Sequence, residues 1–250
     1  AGADPEGMVA ARIGAMPEAR VDGGGRGEAG AVATPIEVAE PRFCSGVGNA
    51  PASLSQVYLF VAVPIHPPYD PRDYYVLSAL NGAFGESMSS RLFQGLRERE
   101  GLCYSVFSGF SIGPTEGLWM AQASSSVKSF PALLAALEQE IHDISNGHPL
   151  DAEEIAESIS RLEGGFDLSL DDTEYRMKRL ARQALHTQRV LDIEETRSQI
   201  LSVDAAAIEG MNARVFGSSE KAVFAYGKLG EKGQRALAES QVAASVKDRV

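Results

Sequence analysis

Ser89-Ser90-Arg91-Leu92-Phe93-Gln94-Gly95-Leu96-Arg97-Glu98-Arg99-Glu100-Gly101-Leu102-Cys103-Tyr104-Ser105-Val106 contains a helix, its stop and the start of a strand. Met88, Leu92, Phe93 and Leu96 fall on one stripe at helical spacing, and Ser89 or Ser90 can cap the start. Gly101 suits the left-handed residue that ends many helices. Past it the period changes. Over residues 103–112 aromatic and β-branched side chains alternate with small ones, the pattern of a strand between two environments. Arg91 sits in the first helical turn, where the macrodipole disfavours a cation by about 0.3–1 kcal/mol. Either it is an exposed arginine that costs little, or it is placed for a partner. The helix carries the chain roughly 15 Å from Arg91 to Gly101, and a returning strand recovers about 10 Å by Tyr104, so the two long side chains can converge.

Outward from this run, residues 56–63 are almost continuously apolar, as in a strand buried on both faces. A loop follows over 64–71 and a helix over 73–81, with Asn81-Gly82 and Gly85 breaking the path before the next helix. Gly113-Pro114-Thr115-Glu116-Gly117 is a turn that makes residues 118–123 the second strand of a hairpin, with Trp119 as a core anchor. Ser126 caps a helix running to Asn146, with Pro131 in its first turn and Gly147 at its end. Asp151-Ala152-Glu153-Glu154 is a capping box for another helix. Further helices are expected over 172–186, 192–201 and 204–216, and a strand over 221–226.

One buried strand, two helices, a hairpin, four helices and a returning strand cannot form an alternating parallel βαβ series. The order predicts an α+β two-layer sandwich, a mostly antiparallel sheet with helices packed on one face. Alternation does not decide which face Tyr104 takes, because Tyr104, Val106 and Phe110 alternate with Cys103, Ser105 and Phe107, and both sets contain an aromatic ring. The packed domain is expected over 42–229, with a short helix or loose tail over 230–250. Residues 1–41 read as a Gly-rich linker or the remnant of a preceding domain. Asp22-Gly23-Gly24-Gly25-Arg26-Gly27-Glu28-Ala29-Gly30 has too few apolar groups to pack, and no Gly-Lys-Ser/Thr follows to make it a phosphate loop.

At 250 residues and 44% hydrophobic content the chain can bury a sizeable core. Its 23 basic against 34 acidic residues leave a net charge of -11, which argues against nucleic acid. Basic peptides are compatible with it, though many soluble proteins are simply acidic. Cys44 and Cys103 form no disulfide framework and no metal-type spacing. No run of about 18 apolar residues is present to span a membrane. The start at Ala1, without methionine or a basic and apolar leader, reads as a fragment or processed product. Ser124-Ser125-Ser126 reads as a strand end with a helix cap, so a serine hydrolase is disfavoured.

Phe84-Gly85-Glu86-Ser87-Met88-Ser89-Ser90-Arg91-Leu92-Phe93 followed by Arg97-Glu98-Arg99-Glu100-Gly101-Leu102-Cys103-Tyr104-Ser105-Val106 resembles the signature of the C-terminal-type domain of the pitrilysin, insulinase and mitochondrial-processing-peptidase family of zinc peptidases. A weaker similarity runs over residues 54–226. Glu86-Ser87 replaces two common glycines, so a local charge or a wider turn is expected there. Cys103 replaces a small residue and is expected to be a buried thiol behaving as an apolar side chain. The resemblance implies an α+β domain whose bare sheet face lines a substrate chamber. It implies that Arg91 and Tyr104 hydrogen-bond the substrate backbone near the scissile carbonyl, as substrate-binding and catalytic residues. A guanidinium and a phenol can hold a peptide and favour a developing oxyanion.

The family's zinc motif, H-x-x-E-H, is absent: the histidines are His66, His142, His148 and His186, and no two are four residues apart. The chain is therefore expected to carry no zinc and to be inactive alone. It would be the metal-free, substrate-binding half of a zinc metalloendopeptidase, whose zinc lies in an H-x-x-E-H domain upstream or on a partner chain. The other reading is a catalytically inactive family member acting as a structural or peptide-binding subunit.

Overall fold

A computed structural model describes residues 42–67, 70, 72–113, 115–187 and 191–240. The expected linker or domain remnant at 1–41 lies outside the described residues. The strands are β1 (Gly46–Ala50), β2 (Val57–Pro64), β3 (Ser105–Ile112), β4 (Gly117–Ser125) and β5 (Ala222–Tyr226). They form one sheet in the order β1-β5-β2-β4-β3. Only the β1–β5 pairing is parallel. The helices are α1 (Asp73–Asn81), α2 (Phe130–Asn146), α3 (Ala152–Ser169), α4 (Thr173–Thr187), α5 (Ile193–Leu201), α6 (Ala205–Phe216) and α7 (Glu231–Ala238), with two π-helical segments at Gly82–Glu86 and Phe93–Arg99. The expected α+β sandwich is the fold.

Period-2 patterning sets the two faces of the sheet. Val57, Leu59, Val61 and Val63 of β2 alternate with Tyr58, Phe60 and Ala62, and the first set is buried. Trp119, Ala121 and Ala123 of β4 and Val223 and Ala225 of β5 join that face. Against it pack Leu77 and Leu80 of α1, Leu133, Leu134, Leu137 and Ile141 of α2, and Val215 and Phe216 of α6. Trp119 is the anchor that its sequence predicted. Its ring lies against Phe84 and Phe216, and its Nε1 donates to Asn81 Oδ1 at 3.0 Å. The opposite face is different. Phe224, Phe60, Gln122 and Phe107 follow one another in register across four strands, and none of them is buried.

Helix α1 does not break at Gly82. It continues as a π-helical turn to Glu86, and the chain becomes extended only at Ser87. The glycines serve close packing instead: a Cβ on Gly82 would meet Ser158 Oγ at 2.5 Å, and one on Gly85 would meet Ser108 Oγ at 2.3 Å. The charge of Glu86 accepts a hydrogen bond from Asn81 Nδ2 at 3.0 Å. Strand β1 was not anticipated, since Gly46-Val47-Gly48-Asn49-Ala50 has no alternation, and it exists through its pairing with β5. Residues 231–238 are not a loose tail. They form α7, with Leu229 and Leu237 buried and Gly233 close to the Phe130 ring, so the packed region extends past 229. The predicted capping box is present, Asp151 accepting from the amides of Glu153 and Glu154.

Candidate functional site

The run from Ser87 to Val106 builds the site. Its helix is wider and starts later than the apolar stripe predicted. Residues 87–90 turn first, with Ser90 N–H donating to Ser87 O at 3.1 Å, and neither Ser89 nor Ser90 caps the helix. Met88 therefore falls outside the stripe and is 75% exposed, while Leu92 and Leu96 are buried. The segment Phe93–Arg99 is π-helical and closes with Glu100 N–H on Gly95 O, five residues back. Gly101 then takes φ +61°, as expected, and Leu102 N–H returns to Leu96 O at 2.9 Å.

Tyr104 lies at a β-bulge. Its N–H donates to Ser124 O at 2.7 Å, although Ser105 is the residue paired with Ser124. Two residues thus oppose one, which shifts the alternation by a step. Cys103 and Val106 are both buried, and Tyr104 and Ser105 between them are both exposed. This shift is why alternation alone could not orient Tyr104. Bulges of this kind re-aim a side chain. Tyr104 is 58% exposed, and its phenol has no hydrogen-bond partner among the described residues.

Arg91 is elsewhere. Its Nε donates to Glu154 Oε1 at 2.9 Å and its Nη2 to Glu154 Oε2, a two-bond fork. Nη1 donates to His148 O, and Nη2 also to Pro149 O at 2.9 Å. The pair is mostly buried, at 15% and 26% side-chain exposure. Glu154 accepts a further bond from Asp151 N–H at 2.8 Å as part of its capping box. Arg91 therefore ties the start of the signature helix to the connection between α2 and α3. Among the described residues no hydrogen bond joins it to Tyr104.

Arg97 lies in the last turn of the same helix. Its guanidinium carbon lies 4.7 Å above the Phe93 ring, its Nε is 3.7 Å from Glu98 Oε1, and its side chain is 42% exposed. It also acts on the neighbouring thiol. Burial pushes Cys103 up to about 11, and the charge of Arg97 opposes that rise. Arg99 lies in that turn as well, where the macrodipole favours a cation.

The site thus offers a free phenol, a guanidinium and an aromatic sheet face, with Ser105 Oγ and Ser124 Oγ 2.8 Å apart. These are donors and stacking surface. Among the described residues no group of three His, Cys, Asp or Glu side chains is placed to hold a metal ion. His66 instead faces Glu220 at 2.9 Å, and His142 lies within 3.4 Å of Asn146 Nδ2. The residues present do not fit a zinc centre. Among the described residues no helix is long and apolar enough to cross a membrane.

Residues 33–162 match the family described as the Peptidase M16 inactive domain. An uncharacterized zinc protease of Mycobacterium leprae is 32% identical over 139 residues, 56% of this chain and 30% of that protein. One of Streptomyces coelicolor is 30% identical over 143 residues, 57% of this chain and 31% of that protein. A probable inactive metalloprotease of Bacillus subtilis is 27% identical over 135 residues, 54% of this chain and 31% of that protein. This chain thus spans about three-tenths of the length of these relatives. The crystal structure of a peptidase M16 inactive domain from Pseudomonas fluorescens superposes with a TM-score of 0.68 at 19% identity, over 77% of this chain and 46% of that one. With the family matched over more than half its length, and with no metal-binding cluster among its described residues, the chain belongs to the Peptidase M16 inactive-domain family.

Proposed function

We propose that this chain is the metal-free, substrate-binding half of a zinc metalloendopeptidase, and that an H-x-x-E-H domain upstream or on a partner chain supplies the zinc. The observation that carries the reading is the bulge that frees the phenol of Tyr104 beside an uncovered aromatic sheet face. A phenol without an internal partner is a directional donor held ready for a backbone carbonyl. Tyr104 is the substrate-binding and catalytic donor, favouring the oxyanion that develops on the scissile carbonyl. Arg97 is the second donor. Arg91, the residue expected for that role, acts as a positioning residue that holds the helix against Glu154.

The test needs the zinc-bearing partner. With that half supplied, Tyr104→Phe is expected to lower turnover of a fluorogenic peptide about 100-fold with a smaller change in KM. Unchanged turnover would remove Tyr104 from the site. Elemental analysis of the purified chain alone should find no stoichiometric zinc, and one tightly held zinc per chain would overturn the division of labour. The second reading, an inactive structural or peptide-binding subunit, is favoured by the relative described as a probable inactive metalloprotease. Absence of H-x-x-E-H from both the adjoining sequence and every co-purifying chain would decide for it.

A further inference from the structure

Among the described residues, strand β3 is an edge of the sheet. Its pairing with β4 has a parity that can be read from its ends. Gly113 N–H donates to Glu116 O at 2.7 Å, so the odd-numbered residues from Ser105 to Gly113 direct their backbone groups to β4. Those of Val106, Ser108, Phe110 and Ile112 point outward. Ser108 O agrees, since it accepts from Asn81 Nδ2 at 3.2 Å. Exposed edges are usually protected by charges, prolines or a covering segment. Ser-Val-Phe-Ser-Gly-Phe-Ser-Ile contains neither a charge nor a proline.

Beside this edge opens a cleft of about 1490 Å³, lined by Ser108 to Gly113 and Tyr74. It exceeds the roughly 300–1,000 Å³ of a small-molecule site. Its cationic wall carries Arg161 of α3 and Lys178, Arg179 and Arg182 of α4. Two carboxylates also line it, and both have local donors: Glu86 accepts from Asn81, and Asp70 from the Arg72 amide at 2.8 Å. The cations are tethered without being fully used. Arg161 pairs with Glu157 at 2.8 Å and Lys178 with Glu174 at 2.6 Å. Arg182 gives one N–H to Tyr74 Oη at 3.0 Å, and the buried Nε of Arg179 has no partner. A guanidinium has five N–H donors, so Arg161 and Arg182 keep several for a ligand.

We propose that this cleft takes an extended acidic peptide segment, added to β3 as a sixth strand, with its carboxylates on Arg161, Lys178 and Arg182. Main-chain bonds to Phe110 and Ile112 would supply affinity, and alternate side chains would supply selectivity. The overall charge of -11 sharpens the choice. An acidic segment is repelled by most of this molecule and attracted by this wall. The site is separate from the face that carries Tyr104: the cleft is lined by Tyr74, Ser108 and Phe110 on the helix-covered side of the sheet.

The probe is a fluorescein-labelled, end-blocked peptide alternating valine with glutamate, titrated into the 250-residue chain by anisotropy. Binding is expected to weaken at least tenfold when lysine replaces glutamate, when alternate peptide amides are N-methylated, and in the Arg161→Gln/Lys178→Gln double variant. Hydrogen exchange at Phe110 and Ile112 should slow on binding. Equal binding of the lysine or N-methylated peptide, unprotected Phe110 and Ile112 amides, or no binding at millimolar peptide would each overturn the proposal. No zinc-bearing partner and no cleavage enter the measurement, so its failure leaves the peptidase reading standing.

Discussion

Arg91 and Tyr104 lie at opposite ends of one signature and are held in opposite ways. Arg91 is built into the frame, its guanidinium bonded to a carboxylate and two carbonyls. Tyr104 projects from a bulge, bonded only through its backbone. A group with four of its five donors engaged can set geometry but has little left with which to hold a ligand. A group with its donor free can do so, and contributes little to stability. The difference is between a side chain bonded into the frame and one left free of it.

Removing Arg91 should have the largest effect on the fold. Arg91→Ala leaves Glu154 and two carbonyls without their donor and is expected to cost about 3 kcal/mol, read from the urea midpoint. A shift no larger than that of an exposed arginine would end the distinction. The loss should also grow with pH. Glu140 is raised by burial, and Arg91 and Arg99 oppose the rise. A carboxyl held above its unfolded value favours folding at low pH and ceases to as pH rises through its folded value. Without Arg91 that window widens, so the variant should compare better with the parent in acid than at neutrality.

Tyr104→Phe, by contrast, should change stability by no more than about 0.5 kcal/mol, although its effect on turnover with the zinc half is large. Equal destabilisation by Tyr104→Phe and Arg91→Ala would erase the contrast between the two ends. The smallest effect belongs to Cys103, next to the bulge. Because burial raises its thiol from 9.0 to about 11, the folded chain keeps a proton that the unfolded chain loses in that interval. Stability is therefore expected to be lost as pH rises through that range, and Cys103→Ala should lack this loss. In alkylation of the folded protein, exposed Cys44 should be modified before buried Cys103.

Much of this was legible in the residues. The apolar run of β2, the glycine that ends α2, the Asp151 and Glu154 box and the left-handed Gly101 each act through neighbours a few positions away, although β2 is buried on one face and half-exposed on the other rather than buried on both. The misses share a cause. β1 is a strand because β5 lies beside it, and Gly82 and Gly85 are small because Ser158 and Ser108 approach them from other elements. The clamp on Arg91 was hidden for the same reason, since its partner is 63 residues away.

The sequence by itself determined the α+β class, most strand and helix positions and the family signature, because periodicity, capping and turn chemistry are set within a few residues. Only the tertiary structure decided that Arg91 is a clamp, that a bulge turns Tyr104 away from the core, and that β3 borders a cationic cleft. Those outcomes depend on which distant groups meet, and hydrogen-bond partners and burial are properties of the packed chain rather than of any one segment.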